Sequence, residues 1–125
     1  MHDALVTFLY VDDLARSDRF YREQLGLALV TDQGACRIYE VAAGGYLGVC
    51  SHAGPASPEG VIVTLVRDDV EGYCAELAER GVEFEKPVAH NERFGITHAF
   101  LRDPDGHLVE VQRFDDPGWN EPISS

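Results

Sequence analysis

Ala99–Phe114 reads AFLRDPDGHLVEVQRF: two apolar-rich runs joined by Asp103-Pro104-Asp105-Gly106. Proline pre-sets φ for the first central position of a type I turn, aspartate suits the second, and glycine accepts the left-handed conformation that follows. A hairpin whose type I turn ends in a glycine bulge has its register fixed by that bulge. Pairing Asp103 with His107 sets Leu101 opposite Val109 and Ala99 opposite Val111, so one face is wholly apolar. The other face carries Phe100 opposite Glu110 and His98 opposite Gln112. A two-residue turn would shift the register by one and place His98 among the valines, a poorer pattern. The bulged register therefore predicts a carboxylate, an imidazole and an amide on one sheet face.

Upstream, Leu5–Val11 (LVTFLYV) is β-branched and aromatic and stops at Asp12-Asp13, which predicts a mostly buried strand. Either aspartate suits the N-cap of a following helix. In that helix Leu14, Ser17, Tyr21 and Leu25 fall at helical spacing, Phe20 broadens the stripe, and Gly26 is the stop. Phe20 and Tyr21 are expected in the core. Three short strands follow at 27–31, 36–41 and 46–50. After the Pro/Gly/Ser-rich stretch 52–60 the pattern begins again: a strand at 61–66, a cap at Asp68-Asp69, and a helix with Val70, Tyr73, Cys74 and Leu77 inward. Gly81 ends that helix, a strand starts at 82–85, and a loop with Pro87 and Gly95 leads to the hairpin. VDDL…LGLALV is thus echoed by RDDV…RGVEFE at an offset of about 56 residues, an internal duplication of a β-α-β-β-β unit.

These readings predict an α+β fold of two tandem β-α-β-β-β modules in one domain. Module one covers about 4–51, the linker 52–60, module two about 61–114 and an irregular tail 115–125, with Trp119 packed on the body or on a partner. Two such modules set side by side are expected to form a curved, partly open mixed-sheet barrel around a cleft.

Lys plus Arg number 10 against 22 Asp plus Glu, a formal net charge of −12. That balance repels phosphate backbones and anionic lipid, which argues against nucleic-acid and membrane partners, and it favours a cationic ligand. The three cysteines, Cys36, Cys50 and Cys74, are widely spaced and match neither a disulfide framework nor a zinc pattern, so a reducing cytoplasm is expected. The N-terminal apolar run is short and follows no basic region, unlike a signal peptide.

With the duplication in place, VDDLARSDRFYREQLGL (11–27) and FLRDPDGHLVEV (100–111) make the chain resemble the vicinal oxygen chelate superfamily, which includes glyoxalase I, extradiol dioxygenases, fosfomycin-resistance enzymes and bleomycin-binding proteins. The resemblance implies the curved two-module fold. It also implies four metal-ligand positions, one on the first and one on the last strand of each module. These fall on Val6, Gly48, Val61 and Glu110, and only the glutamate is a ligand. No cofactor is therefore expected, and a divalent metal only if ligated atypically. The bleomycin-binding members, as the resemblance has it, are acidic dimers without the metal set. This chain shares the acidity and the missing ligands.

If Val6 and Val61 face the cleft, alternation brings Phe8, Tyr10, Val63 and Leu65 to the same side, with Cys50 if Gly48 points inward. The expected ligand-binding residues are Phe8, Tyr10, Cys50, Val63, Phe100 and Gln112, and the acid–base candidates are Glu110 and His98. Blander readings stand beside these: Glu110 as a vestigial ligand paired with His98, His98 as a half-buried polar residue, Cys50 as an inert thiol. His107 is expected to be exposed beside the turn. His52 and His90 would ligate a metal only in an arrangement foreign to this fold. The stretch 85–95 reads as a loop, covering the cleft or simply solvated. The leading function is metal-free binding of a small organic ligand by a homodimer. The alternative is a lyase, isomerase or dioxygenase with an atypical metal site or Glu110/His98 acid–base chemistry. A third class, a structural or regulatory module, requires a cleft filled by side chains.

Overall fold

A computed structural model describes residues 4–51, 58–59 and 61–115; His52 and Trp119 lie outside them. Chain contacts divide the protein into two units, Met1–Gly60 with Asp103–His107, and Val61–Arg102 with Leu108–Ser125.

The first unit opens with β1 (Leu5–Val11) and α1 (Leu14–Asp18), which continues as a π-helical segment over Arg19–Gln24. Asp13 is the N-cap, its carboxylate accepting from the Arg16 amide at 3.1 Å. The Leu25 amide donates to the Phe20 carbonyl at 2.9 Å, the five-residue step of a π-turn, and Gly26 follows at φ 81°. As expected, Ser17, Phe20, Tyr21 and Leu25 are buried. Strands β2 (Ala28–Asp32), β3 (Cys36–Ala42) and β4 (Gly45–Ser51) complete a mixed sheet in the order β1-β4-β3-β2, with β1 parallel to β4. One face carries Leu9, Val11, Tyr39, Leu47 and Val49, all buried, and the helix lies on it, with Tyr39 donating to Asp18 at 2.6 Å. The opposite face is open. β1 is consequently not mostly buried: Phe8 and Tyr10 are 51% and 61% exposed, because the helix covers only alternate residues.

The second unit repeats the topology. It runs β5 (Ile62–Val66), α2 (Val70–Glu79), β6 (Phe84–Asn91), β7 (Ile96–Arg102) and β8 (Leu108–Phe114), in the order β5-β8-β7-β6 with β5 parallel to β8. Asp69 caps α2 through the Gly72 amide at 2.7 Å, and Val70, Tyr73, Cys74 and Leu77 form its buried stripe. The stretch read as a loop at 85–95 is mostly strand. β6 reaches Asn91 because Pro87 falls within the register shift between Lys86 and Ala89 on the edge of the sheet, where a missing N–H costs no ladder bond. The hairpin register is the expected one: Ala99 faces Val111, Leu101 faces Val109, Phe100 faces Glu110 and His98 faces Gln112. The Asp103 amide donates to the His107 carbonyl at 2.9 Å, and Gly106 has φ 87°. Ala99, Leu101, Val109 and Val111 are all fully buried.

Cys36 and Cys50 stand directly opposite each other on β3 and β4 and are joined by a disulfide. This corrects the inert-thiol reading of Cys50 and withdraws the cysteine-based argument for a reducing compartment. Cys74 is the one free cysteine among the described residues, and burial pushes its thiol up to about 11. Under non-reducing denaturation one thiol per chain is therefore expected to react with a disulfide reagent, and in the native protein that thiol should react slowly. Three reactive thiols on denaturation would show that the disulfide does not form. No helix among the described residues is long and apolar enough to cross a membrane.

Candidate functional site

Strand alternation and the bulged hairpin put Thr64, His98, Phe100, Glu110 and Gln112 on the face of the second sheet opposite α2. Glu110 is nearly buried and its carboxylate sits at the centre of this group. Oε1 accepts from the Thr64 hydroxyl at 2.9 Å, and Oε2 meets His98 Nδ1 at 2.7 Å. Turned with its amide nitrogen toward the carboxylate, Gln112 donates to Oε2 at 2.8 Å and Oε1 at 3.1 Å. The His98 side chain remains 18% exposed, and its ring meets Phe100 edge-on with centroids 4.9 Å apart. Lys86 pairs across the strands with Phe100, and its Nζ lies 5.8 Å from the phenyl centroid. Exposed Ile62 and Val66 flank Thr64 on β5. This is a small polar centre on an otherwise apolar face, a composition suited to orienting an organic molecule.

Val63 does not belong to it. Val63 pairs with Val109 and Leu65 with Val111, so both point to the α2 side, and Thr64 takes the place beside Glu110. The expectation slipped by one residue because VIVTLV is apolar on nearly every position and gives alternation no phase. The duplication itself could have found Thr64, since an offset of about 56 from Phe8 lands on it. Lys86 carried no such signal.

In the first unit Val6, Phe8, Tyr10, Gly48 and Cys50 share the open face, as expected, with Phe8 paired to Gly48 and Tyr10 to Cys50. The Phe8 ring lies so close over Gly48 that any Cβ there would collide with it, which explains the glycine. Val6, Val30, Thr31, Ile38 and Tyr46 line a shallow depression of about 360 Å³ on this unit. Across the pairings, Phe8 stands beside Gly48 and Thr64 beside Glu110. Two valines (Val6 and Val61), a glycine (Gly48) and a carboxylate (Glu110) already accepting four hydrogen bonds do not fit a divalent ion at the positions the resemblance marks.

One other group among the described residues brings three potential ligand atoms within 4.8 Å of one another: Asp103, Asp105 and His107, all in the first unit. Its oxygens are committed to protein donors. Asp103 Oδ1 accepts from the amides of Asp105 at 3.0 Å and His107 at 2.7 Å, and Oδ2 accepts from Tyr21 Oη at 2.8 Å and His107 Nδ1 at 2.7 Å. Asp105 binds the Asp12 amide at 3.0 Å, Arg16 at 3.2 Å and Ser17 at 3.2 Å. This is a turn lock. It also corrects the expectation for His107, which is buried rather than exposed. Burial and the Asp103 charge raise the Tyr21 phenol well above its ordinary range. His90 lies elsewhere, against Asp115 at 2.9 Å.

Residues 4–111 match the family model described as Glyoxalase/Bleomycin resistance protein/Dioxygenase superfamily. Similar solved structures include a glyoxalase/bleomycin resistance protein/dioxygenase from Nocardioides (TM-score 0.77, 19% identity, covering 99% of this chain and 90% of that one). TioX from Micromonospora sp. ML1 is another (0.76, 19%, 90% and 99%), as is a lactoylglutathione lyase from Agrobacterium tumefaciens (0.74, 21%, 94% and 96%). No curated protein sequence matches.

Proposed function

The chain belongs to the Glyoxalase/Bleomycin resistance protein/Dioxygenase superfamily, and from that membership we propose that it binds a small organic molecule on the open face of its second sheet without the family metal. The observation that carries this reading is the His98–Glu110 pair, 2.7 Å apart, held by Thr64 and Gln112 on a face that also carries Phe100, Ile62 and Val66. Buried polar groups of this kind orient a ligand while the apolar surroundings supply the affinity. Val6, Gly48 and Val61 support the metal-free part, since none of their side chains ligates. The same imidazole–carboxylate pair favours a second reading, proton transfer on the bound molecule by a lyase or isomerase. In the first unit, Phe8, Tyr10 and Cys50 are proposed ligand contacts on its own open face.

Native mass spectrometry of protein purified without chelators tests the binding reading. A retained organic mass and no bound divalent metal is the expected result. One tightly held metal ion per chain, lost on Glu110→Ala, would overturn the metal-free assignment.

We also propose a homodimer, because Leu5, Phe8, Tyr10, Ile62 and Val66 leave large apolar side chains more than half exposed. Light scattering is expected to give twice the 13.8 kDa chain mass at micromolar concentration. A monomer mass there would contradict it.

A further inference from the structure

Resting on the reading that this face takes an organic ligand, we infer that the atom offered to it is Nε2 of His98, and that the ligand is a planar weak acid, a phenol or enol, rather than an amine. Glu110 is not free to receive a cation. A carboxylate has about four acceptor positions, and here each oxygen already accepts two hydrogen bonds, from Thr64 and Gln112 on Oε1 and from His98 and Gln112 on Oε2. What those bonds do is fix the imidazole. An ionised carboxylate only accepts, so His98 Nδ1 carries the proton and, in the neutral ring, the lone pair sits on Nε2. Glu110 is therefore a positioning residue, and His98 is the group that meets the ligand.

The neighbours of His98 select the ligand's chemistry. Phe100 meets the His98 ring at 4.9 Å centroid to centroid, and the Lys86 ammonium lies 5.8 Å from the phenyl centroid. A planar molecule lying along the Phe100 ring would have both a proton acceptor and a positive charge near it. A phenol or enol would give its O–H proton to Nε2: the O–H bond breaks, an N–H bond forms, and the electron pair stays on oxygen. The oxyanion stays hydrogen-bonded to the new Nε2–H, the imidazolium remains bonded to Glu110 through Nδ1–H, and the Lys86 ammonium on the same face adds a favourable charge. An ammonium ligand would instead meet Lys86 and a saturated carboxylate.

Three matched probes test this: 4-nitrophenol, its methyl ether 4-nitroanisole, and 4-nitrobenzylamine. Wild-type protein is expected to bind nitrophenol at least tenfold more tightly than either of the others, with increased phenolate absorbance on binding. His98→Gln should bring nitrophenol down to the level of the ether. Equal binding of phenol and ether, tighter binding of the amine, or no effect of His98→Gln would each overturn the inference while leaving the binding reading standing. If none of the three binds, the inference fails, and the native mass spectrum decides the binding reading separately. Nitrogen-15 NMR of the free protein supplies a readout independent of any probe. Neutral His98 is expected as the Nδ1–H tautomer, with Glu110→Gln shifting the tautomer population. An Nε2–H tautomer in the wild type would overturn the inference.

Discussion

Asp103→Ala is expected to cost about 3–5 kcal/mol of folding stability, the range for removing one partner of a buried, fully hydrogen-bonded charge. The Asp103 carboxylate accepts from the Tyr21 hydroxyl, the His107 ring and two backbone amides, and both side-chain partners are almost wholly buried. Truncation leaves a phenol, an imidazole and two turn amides without an acceptor where water does not reach them. Tyr21→Phe removes one donor and leaves three, so its expected cost is smaller, about 1–2 kcal/mol. Urea unfolding checks both. The midpoint should fall with an unchanged slope for each variant. In the double variant the two losses should be clearly less than additive, because they share one hydrogen bond. An unfolding free energy for Asp103→Ala within about 1 kcal/mol of wild type would mean that the turn carries its own stability and the Tyr21 contact adds nothing.

That lock marks where the sequence stopped being informative. The turn itself was legible because Pro104 and Gly106 constrain backbone torsions directly, and the resulting register sorted Leu101 and Val109 from Phe100 and Glu110 without any long-range knowledge. The burial of His107 escapes a local reading because its near partner Asp103 is itself held from afar: Tyr21 meets the same carboxylate from 82 positions away. A single sequence holds no signal for such a contact. The Cys36–Cys50 disulfide is a different kind of miss. It shares one hairpin register with the Ile38–Gly48 pair, so a reader who had paired the two strands across Gly44-Gly45 could have found it. Thr64 lay between these cases. Alternation failed inside a run apolar on both sides, Val63 and Leu65 toward the helix and Ile62 and Val66 on the open face, and only the repeat offset held the answer. At the candidate site, the sequence placed Glu110, His98, Phe100 and Gln112 together, and the structure added Thr64 and the hydrogen bonds that surround Glu110.

Stability is expected to fall steeply as pH rises above about 10, the ordinary tyrosine range, because two phenols are buried against carboxylates in the first unit. Tyr21 donates to Asp103 and Tyr39 donates to Asp18, and neither ring is exposed. For each, burial is the leading cause that raises the phenol above its ordinary value; a neighbouring carboxylate adds to it by charge and by accepting the hydrogen bond. The sign follows from linkage. A group whose folded pKa is raised contributes stability that is complete below its unfolded pKa and lost as pH climbs past it, since the unfolded chain releases the proton that the folded chain holds. Each tyrosine should thus remove about 1.4 kcal/mol per pH unit above that point, and the two together about twice as much. Cys74, raised to about 11, adds a smaller decline of the same sign in the window between 9 and 11. The phenolate absorbance of Tyr21 and Tyr39 should then appear in one steep step coincident with loss of circular dichroism. Tyr39→Phe keeps the ring, deletes the titrating group, and is expected to halve the pH slope of the alkaline transition contributed by the pair. A gradual phenolate titration of all tyrosines with secondary structure intact would show that water reaches these hydroxyls and that the Asp18 and Asp103 contacts open freely.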